Sequence, residues 1–261
     1  MSDIATHVIL LLALAAFVAG FVDSIAGGGG LIAVPALLLA GFSPAETLGT
    51  NKLQGMFGTG SAALHYASKG QVKVKKQLPW AVLAFFACAA GALIATKIPG
   101  TALRIALPFV LIAIALYFAF KPNLTDVDRA ERISPKAFGL IVMPLIGLYD
   151  GIFGPGMGSF LMLAFISLAG YGVLKATAHT KFINFATNLG GLAAFAAVGM
   201  VSWKVGLVMG VAQFAGARLG SGLAMKNGAR LIKPLLVVIC IAMAGRLLID
   251  PANPLRIMLG V

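Results

Sequence analysis

Residues 20–35 read GFVDSIAGGGGLIAVP, and residues 147–158 read GLYDGIFGPGMG. Each stretch opens as an apolar helix, carries one aspartate (Asp23, Asp150) and then runs into glycine. The first break is Gly27-Gly28-Gly29-Gly30 and the second Gly154-Pro155-Gly156-Met157-Gly158. Glycine at this density interrupts a helix and lets another backbone or a ligand come close. The apolar runs that follow, 30–42 and 157–170, are too short to cross a bilayer core of about 30 Å. In hydrocarbon, non-helical backbone is tolerated only inside protein or along a wet cavity. The two stretches are therefore predicted to be broken helical hairpins, over 5–42 and 137–170.

The rest of the chain has a membrane composition. Only 11% of the 261 residues are charged, less than half the ~25% of soluble domains. Apolar residues make up 60% and the mean hydropathy is +0.98, which excludes a soluble domain. A net charge of +12 would suit a nucleic-acid reader, but the basic residues stand between long apolar runs instead of clustering in one module. That pattern belongs to a polytopic membrane protein with basic loops. The single polar linker is 121–136, with seven of the charged residues plus Pro122 and Pro135. Cys88 and Cys240 lie in apolar runs and read as small buried hydrophobes, neither a disulfide nor a metal site. No cofactor is expected.

The linker divides an internal repeat. An offset of 127 aligns Gly20, Asp23, Ile25, Gly27 and Gly29 with Gly147, Asp150, Ile152, Gly154 and Gly156. After a two-residue slip, an offset of 129 aligns Lys52, Gly70, Lys75, Gly91 and Lys97 with Lys181, Gly199, Lys204, Gly220 and Lys226. The expected fold is all-α and polytopic: two inverted repeats, each a glycine-broken hairpin plus three transmembrane helices. Their bounds are 1–120 and 137–261, joined by a cytoplasmic linker at 121–136. Loop charge selects inversion. If each hairpin returns to the side it entered from, the basic loops 69–76, 121–136 and 226–233 share the cytoplasmic face, and both termini lie outside. Lys97 and Arg104 flank an external turn and are expected to snorkel.

Paired glycine breaks in inverted halves point to a transporter's binding site. Half-helices starting at Leu31 and Ser159 would aim backbone N–H groups and positive dipole ends at an anion. Two polar stripes accompany them, Thr47, Asn51, Gln54, Gly58, Ser61, His65 and Thr177, Thr180 or Lys181, Asn184, Thr187 or Asn188, Gly191. A pseudo-two-fold would face these stripes to a common centre, as a translocation path or as interhelical hydrogen bonds. Lys52 and Lys181, read as lying within the first turns of their helices, either attract the anion or snorkel. Asp23 and Asp150 either carry a coupling proton or bond the freed N–H groups. Arg218 and Arg246 rank second, and the small residues Gly206, Gly210, Gly216 and Gly220 indicate close helix packing. The candidate substrate site comprises Gly27, Gly28, Gly29, Gly30, Asn51, Lys52, Gln54, Gly154, Gly156, Gly158, Ser159, Lys181 and Asn184.

The block 20–35, with Leu48-Gly49-Thr50-Asn51-Lys52, resembles the first repeat of the sulfite exporter TauE/SafE family, in its YfcA-type branch. The 147–158 block is similar to that family's second signature. In the second half His179-Thr180-Lys181 keeps the lysine but replaces the asparagine. The resemblance implies a bacterial inner-membrane secondary transporter, read as an exporter, of small anions such as sulfite, sulfonates or related organosulfur compounds. Its expected partners are that anion, the lipid bilayer and a coupling proton or sodium ion, and a homo-oligomer is compatible with it. It is not expected to be an enzyme. Two other readings stay open: a passive anion channel, and an intramembrane serine hydrolase using Ser61 and His65, one helical turn apart.

Overall fold

The computed structural model describes residues 5–98, 126–228 and 238. The spans expected at 102–120 and, apart from residue 238, at 233–249, with Arg104, Arg246 and Cys240, lie outside the described residues, as do both chain ends. All regular structure among the described residues is helical: α1 Thr6–Ala26, α2 Gly29–Leu39, α3 Pro44–Ser68, α4 Val74–Ala95, α5 Pro135–Ile152, α6 Met157–Ser167, α7 Val173–Ala197 and α8 Trp203–Asn227. Helices α1, α4 and α5 are long and apolar enough to cross a membrane. Their outward faces carry exposed Leu10, Leu11, Leu14, Val82, Phe86, Leu140 and Leu145, which suits contact with lipid. Helices α3 and α7 have 25 residues each, about 37 Å at 1.5 Å per residue. They carry the polar stripes and are enclosed by the others.

Both breaks form where the glycines lie. Gly27 (φ 83°) and Gly154 (φ 82°) adopt the left-handed conformation just beyond the ends of α1 and α5. There an L side chain would be strained. The Gly27 N–H closes the last turn on the Asp23 carbonyl at 2.9 Å. The next helices start at Gly29 and Met157, two residues earlier than the expected Leu31 and Ser159. A first-turn N–H needs no intrahelical partner, so small residues can enter there. Each has 11 residues, about 16 Å, or half the hydrocarbon thickness.

Helix α3 starts at Pro44, capped by Ser43, whose Oγ accepts the Glu46 N–H at 3.3 Å. This corrects the depth assigned to the lysines. Lys52 and Lys181 are each eight residues into their helices, about 12 Å from the end. They are buried at 1% and 0% exposure and do not snorkel.

Helix partners exchange under the sequence offsets. Helix α1 lies along α8 and α4 along α5; α3 packs on α8 and α4 on α7; α3 and α7 pack on each other. The contacts exchange as well. Gly91 of α4 abuts the carbonyl of Leu148, and its counterpart Gly220 of α8 abuts that of Phe21. Ser61 Oγ donates to the Phe214 carbonyl at 3.2 Å, and Gly190, at the matching position, abuts the carbonyl of Phe85. The α8 glycines do serve close packing: Gly206 and Gly210 meet Leu53 and Phe57 of α3, and Gly216 and Gly220 meet α1.

One departure from this matching is local. Helix α5 contains a π-turn at Phe138–Val142, immediately before Pro144. Proline lacks the N–H that an α-helix directs four residues back, and its ring crowds that carbonyl. The wider π-turn absorbs both problems. The matching residue of α1 is Phe17, and α1 has no such turn.

Candidate functional site

The two breaks meet. A Cβ on Gly27 would lie 2.6 Å from the Ser159 nitrogen, and one on Gly30 would lie 3.3 Å from Pro155 Cα. Ser159 Oγ donates to the carbonyls of Ala26 (2.9 Å) and Gly27 (3.1 Å), tying the second break to the first. Tyr149 Oη donates to the Pro155 carbonyl at 2.6 Å. Between the breaks is a polar cavity of about 30 Å³, room for about two waters at the ~10–15 Å³ each requires.

The cavity gathers most of the expected residues. Asp23, Gly27 and Gly30 come from the first break, and Asp150, Gly154, Gly156 and Gly158 from the second. Asn51 of α3 and Asn184 of α7 also line it. Five further residues line it: Gly55, Thr59, Met157, Asn188 and Gln213. Six expected residues do not. Gly28 and Gly29 shape the turn, Ser159 ties the breaks, and Gln54 stands behind Asn51, donating to its Oδ1 at 3.0 Å. Lys52 and Lys181 lie behind the acids.

The stripe on α3 splits for a geometric reason. Steps of 4, 3, 4, 3 trace the seam of a helix packed on a near-parallel neighbour, whereas the cavity row is Asn51, Gly55, Thr59 at steps of four. Along the seam Gly58 lies under Gln213, Ser61 bonds the Phe214 carbonyl, and His65 Nδ1 lies 2.8 Å from Ser221 Oγ. The Ser61–His65 dyad of the hydrolase reading is therefore not formed. Arg218 is exposed on the outer face of α8, away from the cavity.

The charges form two crossed pairs. Lys52 Nζ is 2.7 Å from Asp150 Oδ1, and Lys181 Nζ is 2.9 Å from Asp23 Oδ2. Each joins one half of the chain to the other, at positions the offsets relate. Asp23 also accepts the Gly29 N–H on Oδ1 at 3.1 Å, so it caps α2 as well as holding a lysine. Asp150 receives instead the weak Cys88 thiol at 3.7 Å. The Lys52 stem crosses Gly191 of α7, where a Cβ would lie 2.9 Å from Cε. The lysines are thus not free cations awaiting an anion. The carboxylates, not the ammonium groups, form the cavity wall, and the four charges sum to zero. The N-termini of α2 and α6 also end at the cavity, that of α2 already capped by Asp23.

The polar lining is less symmetric than the ion pairs. Asn188 Nδ2 donates to Thr59 Oγ1 at 3.2 Å and to Asn184 Oδ1 at 3.4 Å. Asn184 and Asn188 match Gly55 and Thr59, and Gln213 matches Ala84. Gln213 is 3% exposed, and its Oε1 has no hydrogen-bond partner.

A polar cavity where two half-helices meet inside an apolar bundle is a transporter's architecture, and sequence comparison agrees. The family model for "Sulfite exporter TauE/SafE" matches residues 12–247. The chain belongs to the sulfite exporter TauE/SafE family. A probable membrane transporter protein, ORF9, of Sinorhizobium sp is 59% identical over 260 residues, covering 100% of both chains. The probable membrane transporter protein YfcA of Escherichia coli is 44% identical over 235 residues, 90% of this chain and 87% of its own. A probable membrane transporter protein of Haemophilus influenzae is 43% identical over 248 residues, 95% of this chain and 97% of its own. No solved structure matches. As a TauE/SafE member with these apolar helices, the chain is a multi-pass membrane transporter.

Proposed function

We propose that this transporter is a secondary exporter of small anions, sulfite, sulfonates or related organosulfur compounds, in a bacterial inner membrane. The observation that carries the proposal is the pair of crossed, buried Lys–Asp bridges beside a cavity closed by two helix breaks. An anion entering this neutral site must compete with a carboxylate for its lysine. Breaking a buried pair costs about 3–5 kcal/mol when one charge is left unpaired. Protonating Asp23 or Asp150 removes that cost, because the freed ammonium is then matched by the anion. Anion and proton therefore enter together, and the loaded site stays neutral. Such movement is insensitive to membrane potential and runs outward when the outward anion gradient exceeds the inward proton gradient. Sodium is the alternative coupling ion that the same carboxylates would take.

The cavity's size supports alternating access over a passive channel. A cargo larger than about two waters is admitted only if the breaks part, and each Lys–Asp bridge spans the two halves that would move. The arrangement of halves is proposed as inverted: repeats 1–120 and 137–261, the linker 121–136 in the cytoplasm and both termini periplasmic. The loop-charge pattern of the sequence, which inversion would gather on one side, and the exchanged helix contacts support it.

The test is sulfite flux in proteoliposomes that carry an internal pH dye and an imposed proton or sodium gradient. Expected are saturable flux, one proton moving with each monovalent anion, and loss of pH coupling in Asp23→Asn. Non-saturating flux without proton movement establishes a channel, and sodium-dependent flux reassigns the coupling ion.

A further inference from the structure

A second, larger cavity lies apart from the first, beside the basic loop 69–76. Its volume is about 380 Å³, within the 300–1,000 Å³ usual for small-molecule sites. The start of α4, the π-turn of α5, the end of α6, the start of α7 and the segment 131–135 enclose it. Aromatic rings form its walls. Phe165 stacks on Tyr171 (centroids 5.4 Å, planes 9° apart) and meets Phe138 at 4.9 Å. Trp80 packs its indole over Gly139 in the π-turn. Lys73, Lys76 and Glu131 are the charged groups at its rim.

One of its lining residues carries an unanswered acceptor. Gln77 is 4% exposed. Its Nε2 donates to the His179 carbonyl at 3.3 Å, and its buried Oε1 has no hydrogen-bond partner. A buried amide oxygen without a donor is costly, so a cavity lined by one is suited to a ligand carrying an N–H or O–H.

The internal repeat supplies a control. By the offsets, Met143, Tyr171, Lys76 and Trp80 correspond to Ala16, Phe42, Val205 and Met209. At the repeat-related position those four, again drawn from both halves, pack into one apolar cluster with Leu12, Ala19 and Leu37. The same helical frame is thus filled with apolar side chains on one side. On the other it holds an open cavity, lined in part by Phe138 of the π-turn and rimmed by lysines. The opening belongs to these residues and not to the frame.

We propose that this cavity is a second binding site, for a free organic anion with a planar apolar body and a hydrogen-bond donor. The rings take the body, Lys73 and Lys76 the anionic head, and Gln77 Oε1 the donor. The site does not depend on how the central cavity works.

Calorimetry on the detergent-purified full chain tests it with 6-hydroxy-2-naphthoate, against 2-naphthoate (no donor) and 2-naphthol (no carboxylate). The expected result is one saturable site per chain, at least fivefold weaker for each analogue. In Trp203→Phe protein the probe quenches Trp80. Lys73→Ala with Lys76→Ala, both exposed and outside the packed core, weakens the hydroxynaphthoate at least fivefold with an unchanged melting temperature. Gln77→Leu abolishes the preference for the hydroxyl, and the wild-type preference tests the same contact if that variant does not fold. Equal binding of 2-naphthol, or equal binding by the double-lysine variant, overturns the proposal. Displacement of the probe by phosphatidylglycerol, but not by phosphatidylcholine, overturns it too, by making a lipid headgroup the occupant.

Discussion

Replacing Asp23 with asparagine removes one negative charge and almost nothing else. The asparagine amide keeps an oxygen for the Gly29 N–H, which Asp23 accepts at 3.1 Å, so the cap of α2 survives. Lys181, 0% exposed and 2.9 Å from the lost carboxylate, is left charged and unpaired. The expected cost is about 3–5 kcal/mol. At ~2–4 °C per kcal/mol for a chain of this size, the melting temperature falls by roughly 6–20 °C. Adding Lys181→Met removes the stranded charge, and the double variant recovers most of the loss. The assay is the intrinsic fluorescence melt of Trp80 and Trp203 in one detergent for wild type, both single variants and the double. A coupling energy below about 1 kcal/mol, or a double variant no more stable than Asp23→Asn, refutes the claim that this bridge holds the two halves together. The same cycle on Asp150 and Lys52 is expected to give a similar coupling, since that pair is equally enclosed.

Three further outcomes follow from the geometry. Gly27→Ala is expected to abolish transport and lower the melting temperature, because its φ of 83° and the Gly158–Ser159 backbone leave no place for a Cβ; a functional, wild-type-stable alanine variant contradicts the meeting of the breaks. Gln213→Leu is expected to weaken anion affinity about tenfold with little change in melting temperature, since its Oε1 bonds nothing in the protein; unchanged affinity by sulfite thermal shift removes Gln213 from the site. Burial works against the charge of Asp128, but the Gly172 N–H and the Lys175 ammonium outweigh it and hold the carboxyl below its usual range. A carboxyl depressed by folding contributes stability above its unfolded pKa of about 3.9 and loses it as pH falls through the folded value. The protection factor of the Gly172 amide is therefore expected to fall below about pH 4 in wild type, and to be low already at neutral pH in Asp128→Ala.

The helix breaks were legible because they rest on local chemistry. Glycine's freedom at Gly27 and Gly154 ends a helix whatever packs around it, and the short runs after them reach only half a bilayer. The duplication was legible too, since it is written in spacing. What spacing could not supply was which residue meets which. Asp23 and Lys181 are 158 positions apart, and each looked like a separate functional charge until the exchange of helices placed them together. For the same reason the α3 stripe read as one path. Its steps of 4 and 3 fit any buried face, and only the position of α8 divides it into a packing seam and the Asn51–Gly55–Thr59 wall. Gln213 gave no sequence signal, since it belongs to no polar stripe on α8 and its repeat counterpart is Ala84.

By itself, then, the sequence determined the quantities set by neighbours along the chain: membrane class, breaks, duplication and the matched Asp and Lys positions. The tertiary structure decided the pairings, and with them the sign of the site's walls. It turned two expected cationic anion traps into two neutral bridges with their carboxylates facing the cavity. Burial is the physical reason. An isolated charge inside the bundle is too costly to persist, so each lysine is found with a partner from the opposite half.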